Sequence, residues 1–167
     1  MTSPVYKMFR VTTWVVMIVY MIILAKLILF KRPLGTIARY FKNQYSWQVV
    51  KKNAKQANLT PGTTISLYMN KEKRVEYSIE NLAGNIIGFV PLGLLVPVLF
   101  RRCRGFWKVV GLSFLVSLLF ELAQLATALG SFDVDDLLLN TLGGMLGYCI
   151  FILFYPMRKP AANKQYL

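Results

Sequence analysis

The sequence predicts an all-α integral membrane protein: four transmembrane helices, with an amphipathic interfacial helix between the first and second. Three observations predict it. Of 167 residues, 56% are hydrophobic and only 16% charged, too apolar for an ordinary soluble domain. Apolar windows fall at residues 11–30, 82–100, 107–129 and 137–155, each about the 20 residues a helix needs to cross about 30 Å of hydrocarbon. The basic residues outside these windows cluster on alternate connections.

Taken in order, residues 1–30 hold the N-terminus and first span. Lys7 and Arg10 resemble the basic start of a signal peptide, but the run ends in "LAKLILFKRP" without a small-residue cleavage site. A retained anchor is expected. Residues 31–81 form an extracytoplasmic basic segment. Within it Leu34, Ile37, Phe41, Tyr45 and Val49 recur at helical spacing, which suggests one amphipathic helix in the headgroup layer. "KKNAKQ" then reads as a solvated basic run and "NLTPGTT" as a turn.

Residues 82–100 are the second span, 101–106 a cytoplasmic basic loop, and 107–129 the third span. Residues 130–136 are an acidic outer loop, 137–155 the fourth span, and 156–167 a cytoplasmic tail. The whole of 1–167 reads as one membrane domain. Lys7 and Arg10, the loop "RRCRGFWK", and Arg158, Lys159 and Lys164 share one face. The positive-inside rule makes that face cytoplasmic, giving a multi-pass cell-membrane protein with both termini inside. The net charge of +13 is thus distributed as membrane topology requires, and no nucleic-acid partner is predicted. Residues 31–80 depart from the rule, with ten Lys or Arg against three Glu, although long segments weigh less in it. Cys103 and Cys149 are poorly placed for a disulfide.

Polar side chains inside spans are costly and need reasons. Lys26, Asn85, Glu121, Gln124 and Asn140 all fall at the span ends that face segment 31–81 and the acidic loop. Alternation alone puts them in one leaflet, whichever way the chain is oriented. Glu121 and Gln124 share a helix face, as do Asp136 and Asn140, and as do Asn81 and Asn85. Gly144 and Gly147 continue the Asp136 side, where small residues let helices approach closely. Glu121 is expected about 12 Å below the outer end of its helix. Lys26 is either its countercharge or a snorkelling cation. Asp133 suits an N-cap and Asp136 the positive helix end, which leaves Asp135 unexplained. Pro91 and Pro97 either kink the second span into a vestibule beside Asn85 or only adjust packing.

The segments "NLTP", "NIIGFVPLGLL", "FELAQL" and "FDVDDLLLNTLGGMLGY" stand in this order between Asn58 and Tyr148. In sequence and spacing they resemble the VanZ-like membrane proteins, a family linked with reduced susceptibility to lipoglycopeptides such as teicoplanin. The resemblance implies functional or structural weight at Asn85, Pro91, Gly93, Glu121, Gln124, Asp133, Asp136, Asn140, Gly143 and Gly147. Many relatives carry an arginine just before the Phe-Asp pair; here Gly130 and Ser131 stand there, so an anion would be held differently.

Three readings of function follow. In the first, a Gram-positive cell-envelope protein without enzymatic activity binds a lipid-like ligand in its outer polar layer. That ligand is a lipid-linked cell-wall precursor or the lipoglycopeptide itself, and membrane lipids are further partners. In the second, the chain is a membrane enzyme with Glu121 as general acid or base, the three aspartates holding Mg²⁺ as an alternative. The chain has no histidine, no nucleophile motif and no phosphate-cradling glycine loop. In the third, it is a small transporter or accessory subunit, which needs a homodimer. The ligand-binding candidates are Asn85, Glu121, Gln124, Asp133, Asp136, Asn140 and Lys26. Pro91, Gly93, Gly143 and Gly147 are structural candidates, and no cofactor or metal is assigned.

Overall fold

Hydrocarbon offers no water to a backbone, so a spanning segment must close its own hydrogen bonds as a helix. The structure, a computed structural model, describes residues 4–29, 34–63, 66 and 75–155. Its described elements are α1 (Pro4–Leu29), α2 (Leu34–Asn43), α3 (Trp47–Lys55), α4 (Val75–Leu99), a 3-10 turn (Arg101–Cys103), α5 (Phe106–Ala126) and α6 (Val134–Phe154). Pro4–Leu29, Asn81–Leu99, Phe106–Ala126 and Val134–Phe154 are long and apolar enough to cross a membrane. The four expected spans are present. Lys31, Arg32 and the basic tail lie outside the described residues.

Helices α1 and α4 each start seven residues before the expected span, at Pro4 and Val75, and two further boundaries differ for a local reason. Helix α6 starts at Val134 because the Asp133 side chain caps it, accepting from the Asp135 amide at 2.9 Å. Helix α5 stops at Ala126, where the chain turns over. Leu129 and Gly130 both donate backbone N–H groups to the Gln124 carbonyl, at 3.1 and 3.3 Å, and Ala128 adopts φ 56°. A left-handed alanine costs roughly 1–2 kcal/mol, so something must hold this turn.

The segment after α1 holds it. Where one amphipathic helix was expected, the chain forms two short ones, α2 and α3, broken at Gln44–Ser46 with Ser46 capping the second. The residues that become buried are Tyr40 and Val50, packed with Ala128 and flanked by Val49 and Leu129. Phe41 and Tyr45 of the expected apolar face stay exposed. Tyr40 donates its hydroxyl to the Ala128 carbonyl at 2.7 Å, and Asn53 donates Nδ2 to the carbonyls of Ala128 and Gly130 at 3.2 and 3.0 Å. The "KKNAKQ" lysines sit exposed on α3 rather than in a loop.

Helices α4 and α6 run parallel and make the most extensive packing of the bundle. Their contact is backbone on backbone. A Cβ at Gly143 would strike the Ile86 carbonyl, one at Gly147 the Val90 carbonyl, and one at Gly93 the Gly144 carbonyl. A Cβ at Gly144 would strike the Ser113 hydroxyl of α5. The glycine strip therefore joins helices within the chain. Around it Phe89, Leu92, Val96, Val109, Tyr148 and Phe151 form the core, and Leu24 is the one buried residue of α1. Helix α4 continues through Pro91 and Pro97. The Tyr20 hydroxyl donates to the Gly88 carbonyl at 2.8 Å, and Arg104 Nε donates to the Pro97 carbonyl at 3.1 Å.

Two glycine substitutions test this packing. Gly143→Ala should destabilise the purified protein by roughly 1–3 kcal/mol through overpacking, read as a lower denaturant midpoint. Gly111→Ala, which meets nothing within 4 Å, should be neutral or slightly stabilising because alanine favours helix.

Candidate functional site

Antiparallel to α6, helix α5 turns one polar face towards it. Ser113, Ser117, Glu121 and Gln124 recur at helical spacing, and all are buried. Ser113 sits in the space left by Gly144. Ser117 Oγ accepts from Asn140 Nδ2 at 2.9 Å. Glu121 Oε2 accepts from the Asp133 amide at 2.9 Å. Gln124 Nε2 donates to the Ile28 carbonyl at 2.9 Å, tying the end of α1 to α5. The seam pairs three of these four polar groups, each expensive alone in a membrane interior; among the described residues Ser113 Oγ has no hydrogen-bond partner.

The acidic loop faces segment 58–62 and clasps it. Asn58 and Asp133 form a parallel bridge, with the Asn58 amide donating to the Phe132 carbonyl at 2.9 Å and the Val134 amide to the Asn58 carbonyl at 3.0 Å. Asn58 Nδ2 donates to Asp133 Oδ1 at 2.9 Å. Asp135 is fully buried and accepts from the Gly62 amide at 2.6 Å. Gly62 has φ 87°, a conformation glycine adopts without penalty. The third acid, Asp136, accepts from Asn85 Nδ2 at 2.6 Å.

Below the clasp lies a cavity of about 350 Å³, lined by Leu24, Leu27 and Ile28 of α1, Asn81, Gly84, Asn85, Gly88 and Phe89 of α4, and Asn140 of α6. Gly84 meets nothing within 4 Å of where a Cβ would stand, and at Gly88 the nearest such atom is Leu24 Cδ1, at 3.5 Å. Asn140 is 1% exposed and its Oδ1 has no hydrogen-bond partner. An acceptor buried without a donor costs about 1–3 kcal/mol. The cavity is thus mostly apolar, with amides on its wall.

The family described as VanZ/LLP1 matches residues 17–155, a range that contains the seam, the clasp and the cavity. The chain belongs to the VanZ/LLP1 family. Protein VanZ of Enterococcus faecium is 32% identical over 112 residues, which cover 66% of this chain and 62% of that relative's own length. The match therefore spans less than two thirds of the relative. No solved structure matches the chain.

Within this VanZ-family bundle the predicted residues separate into groups. Asn85, Asp136 and Asn140 come together around the cavity or directly beside it, while Glu121, Gln124 and Asp133 hold helices and loops to one another. Lys26 is exposed, and among the described residues no ion pair joins it to Glu121. Glu121 lies nearer its helix end than expected, because α5 ends at Ala126 and the loop folds back to meet it. The three aspartates diverge towards Asn58, Gly62 and Asn85, and among the described residues no group of three or more such ligands could share a metal ion. Sequence reasoning passed over Ser113 and Ser117, and it singled out Asp135 without finding its partners. The serines recur on the Glu121 face, a legible signal; the partners of Asp135 lie more than 70 positions away.

The clasp should be measurable by hydrogen exchange. Asp135→Ala leaves the Gly62 amide without its acceptor, and a hydrogen bond to a charged group is worth about 1.5–3 kcal/mol. Exchange in the 58–62 segment should accelerate at least tenfold, with the α4–α6 core protected as in wild type.

Proposed function

We propose that this VanZ-family chain is a cell-envelope membrane protein that lowers susceptibility to lipoglycopeptides such as teicoplanin. It does so by binding a lipid-like amphiphile in an outward-facing intramembrane site. The observation that carries the reading is the cavity between α1, α4 and α6, which offers both chemistries an amphiphile needs. Leu24, Leu27, Ile28 and Phe89 suit an acyl chain, and Asn81, Asn85 and Asn140 suit its polar end. The side-chain amides of Asn81, Asn85 and Asn140 suit hydroxyl and amide groups, which sugars and peptides supply. Either a lipid-linked wall precursor or an acylated glycopeptide meets this description. The orientation follows the charge pattern. Arg101 and Arg102 stand exposed at the opposite end, as expected of a cytoplasmic face, which supports a cavity and clasp on the outer side.

Surface binding of fluorescent teicoplanin and vancomycin to a susceptible Gram-positive host tests the site. Cells expressing wild type should bind less teicoplanin than vector controls, with vancomycin unchanged. Asn140→Ala and Asn85→Ala should each move binding most of the way back to the control. Glu121→Gln keeps an acceptor for the Asp133 amide and should behave as wild type. If it instead abolishes the effect at normal protein levels, the acid–base alternative gains and the binding reading fails.

Topology has its own assay. With Cys103 and Cys149 replaced by serine and alanine, a Leu59→Cys probe, at a position 72% exposed, should react with a membrane-impermeant maleimide in intact cells. Labelling only after lysis would reverse the orientation.

A further inference from the structure

A second cavity lies at the opposite end of the bundle and takes no part in the reading above. It measures about 540 Å³ and sits between the start of α1 and the connection from α4 to α5. Arg10, Arg101, Arg102 and Arg104 line it, and none of its lining residues is acidic. Phe9, Val98, Leu99 and Phe100 supply an apolar wall, and Trp14 packs edge-on against Phe100 at 5.4 Å between ring centroids.

The arginine-bearing connection is tied down before any ligand arrives. The Cys103 amide donates to the Phe100 carbonyl at 2.8 Å. Lys108 Nζ donates to the Arg102 carbonyl at 2.9 Å, and the Tyr148 hydroxyl donates to the Arg104 carbonyl at 2.6 Å. Arg104 is committed structurally, donating to the Pro97 carbonyl and stacking 4.7 Å above the Tyr155 ring. Arg101 and Arg102 are exposed, and among the described residues no such tie engages their side chains. A guanidinium cluster carried on a tied-down connection beside an apolar wall matches a phosphate ester carrying acyl chains. Guanidinium groups pair bidentately with phosphate oxygens, and basic pockets between spans bind anionic lipid headgroups.

We propose that this second cavity is a binding site for an anionic glycerophospholipid, its phosphate held by Arg101 and Arg102 with Arg10, and its acyl chains along Phe9, Val98 and Phe100. The site is separate from the outer cavity in residues and position.

The test uses the full chain purified in a neutral detergent, with binding of short-chain phosphatidylglycerol followed by thermal shift. Phosphatidylcholine of equal chain length and inorganic phosphate serve as comparisons. Wild type should be stabilised saturably by phosphatidylglycerol and by neither of the others. Arg101→Gln/Arg102→Gln should weaken the apparent affinity by about fivefold for each charge removed, and Arg101→Lys/Arg102→Lys should recover most of it. Lys51→Gln/Lys52→Gln, which removes equal charge from exposed positions on α3, should leave it unchanged. The proposal is overturned if phosphatidylcholine or free phosphate stabilises equally. It is also overturned if the α3 variant weakens binding as much as the arginine variant.

Discussion

The contact of α4 with α6 through glycine is the constraint on which the other features rest. Backbones meet only where Gly93, Gly143 and Gly147 carry no side chain, and the lack of a hydrophobic drive between helices in lipid makes such close approach the available source of affinity. That approach sets the depth of α6, and with it the height of Asp136 against Asn85. It also sets Gly144 opposite Ser113, which fixes α5 in register so that Asn140 meets Ser117 and the Asp133 amide meets Glu121. A methyl group on this strip would shift helices, and the polar seam would lose its partners together.

The polar residues hold elements to one another, and two of them also line the cavity. Glu121, Gln124, Asp133 and Asp135 each have a partner that ties one element to another. What they hold is a rim: the loop around Ala128, the two short helices docked on it, and the 58–62 turn. Asn85 and Asn140 line the space beneath that rim. Carboxylates concentrate ahead of α6 because the 58–62 turn and α4 both meet the chain there and supply them with donors.

The spans were legible because crossing hydrocarbon demands length and apolarity, both local properties of a sequence. The shared depth of Asn85, Glu121 and Asn140 was legible too, since alternation through a bilayer leaves no freedom. Pairing was not. Asp136 was readable as a helix-dipole acid, but its contact with Asn85 depends on which helices are neighbours. Lys26 was a reasonable partner for Glu121 by depth alone, yet depth says nothing of azimuth, and Lys26 faces outward. The break in the segment after α1 was obscured by periodicity: Leu34 to Val49 keep helical spacing across it, while Ser46 and the docking of Tyr40 and Val50 decide the outcome.

Helix α1 buries only Leu24, and it contributes a wall to both cavities, through Phe9 and Arg10 at one end and Leu24, Leu27 and Ile28 at the other. The most thinly anchored span of the bundle is thus the partition between each cavity and the surrounding hydrocarbon. Molecules dissolved in the bilayer reach that partition by sideways diffusion, without first crossing water. For the lipid-like ligands proposed for these cavities, the quantity that governs filling is accordingly the mole fraction of ligand in each leaflet, so a change of membrane composition should act on occupancy as directly as a change of the lining side chains.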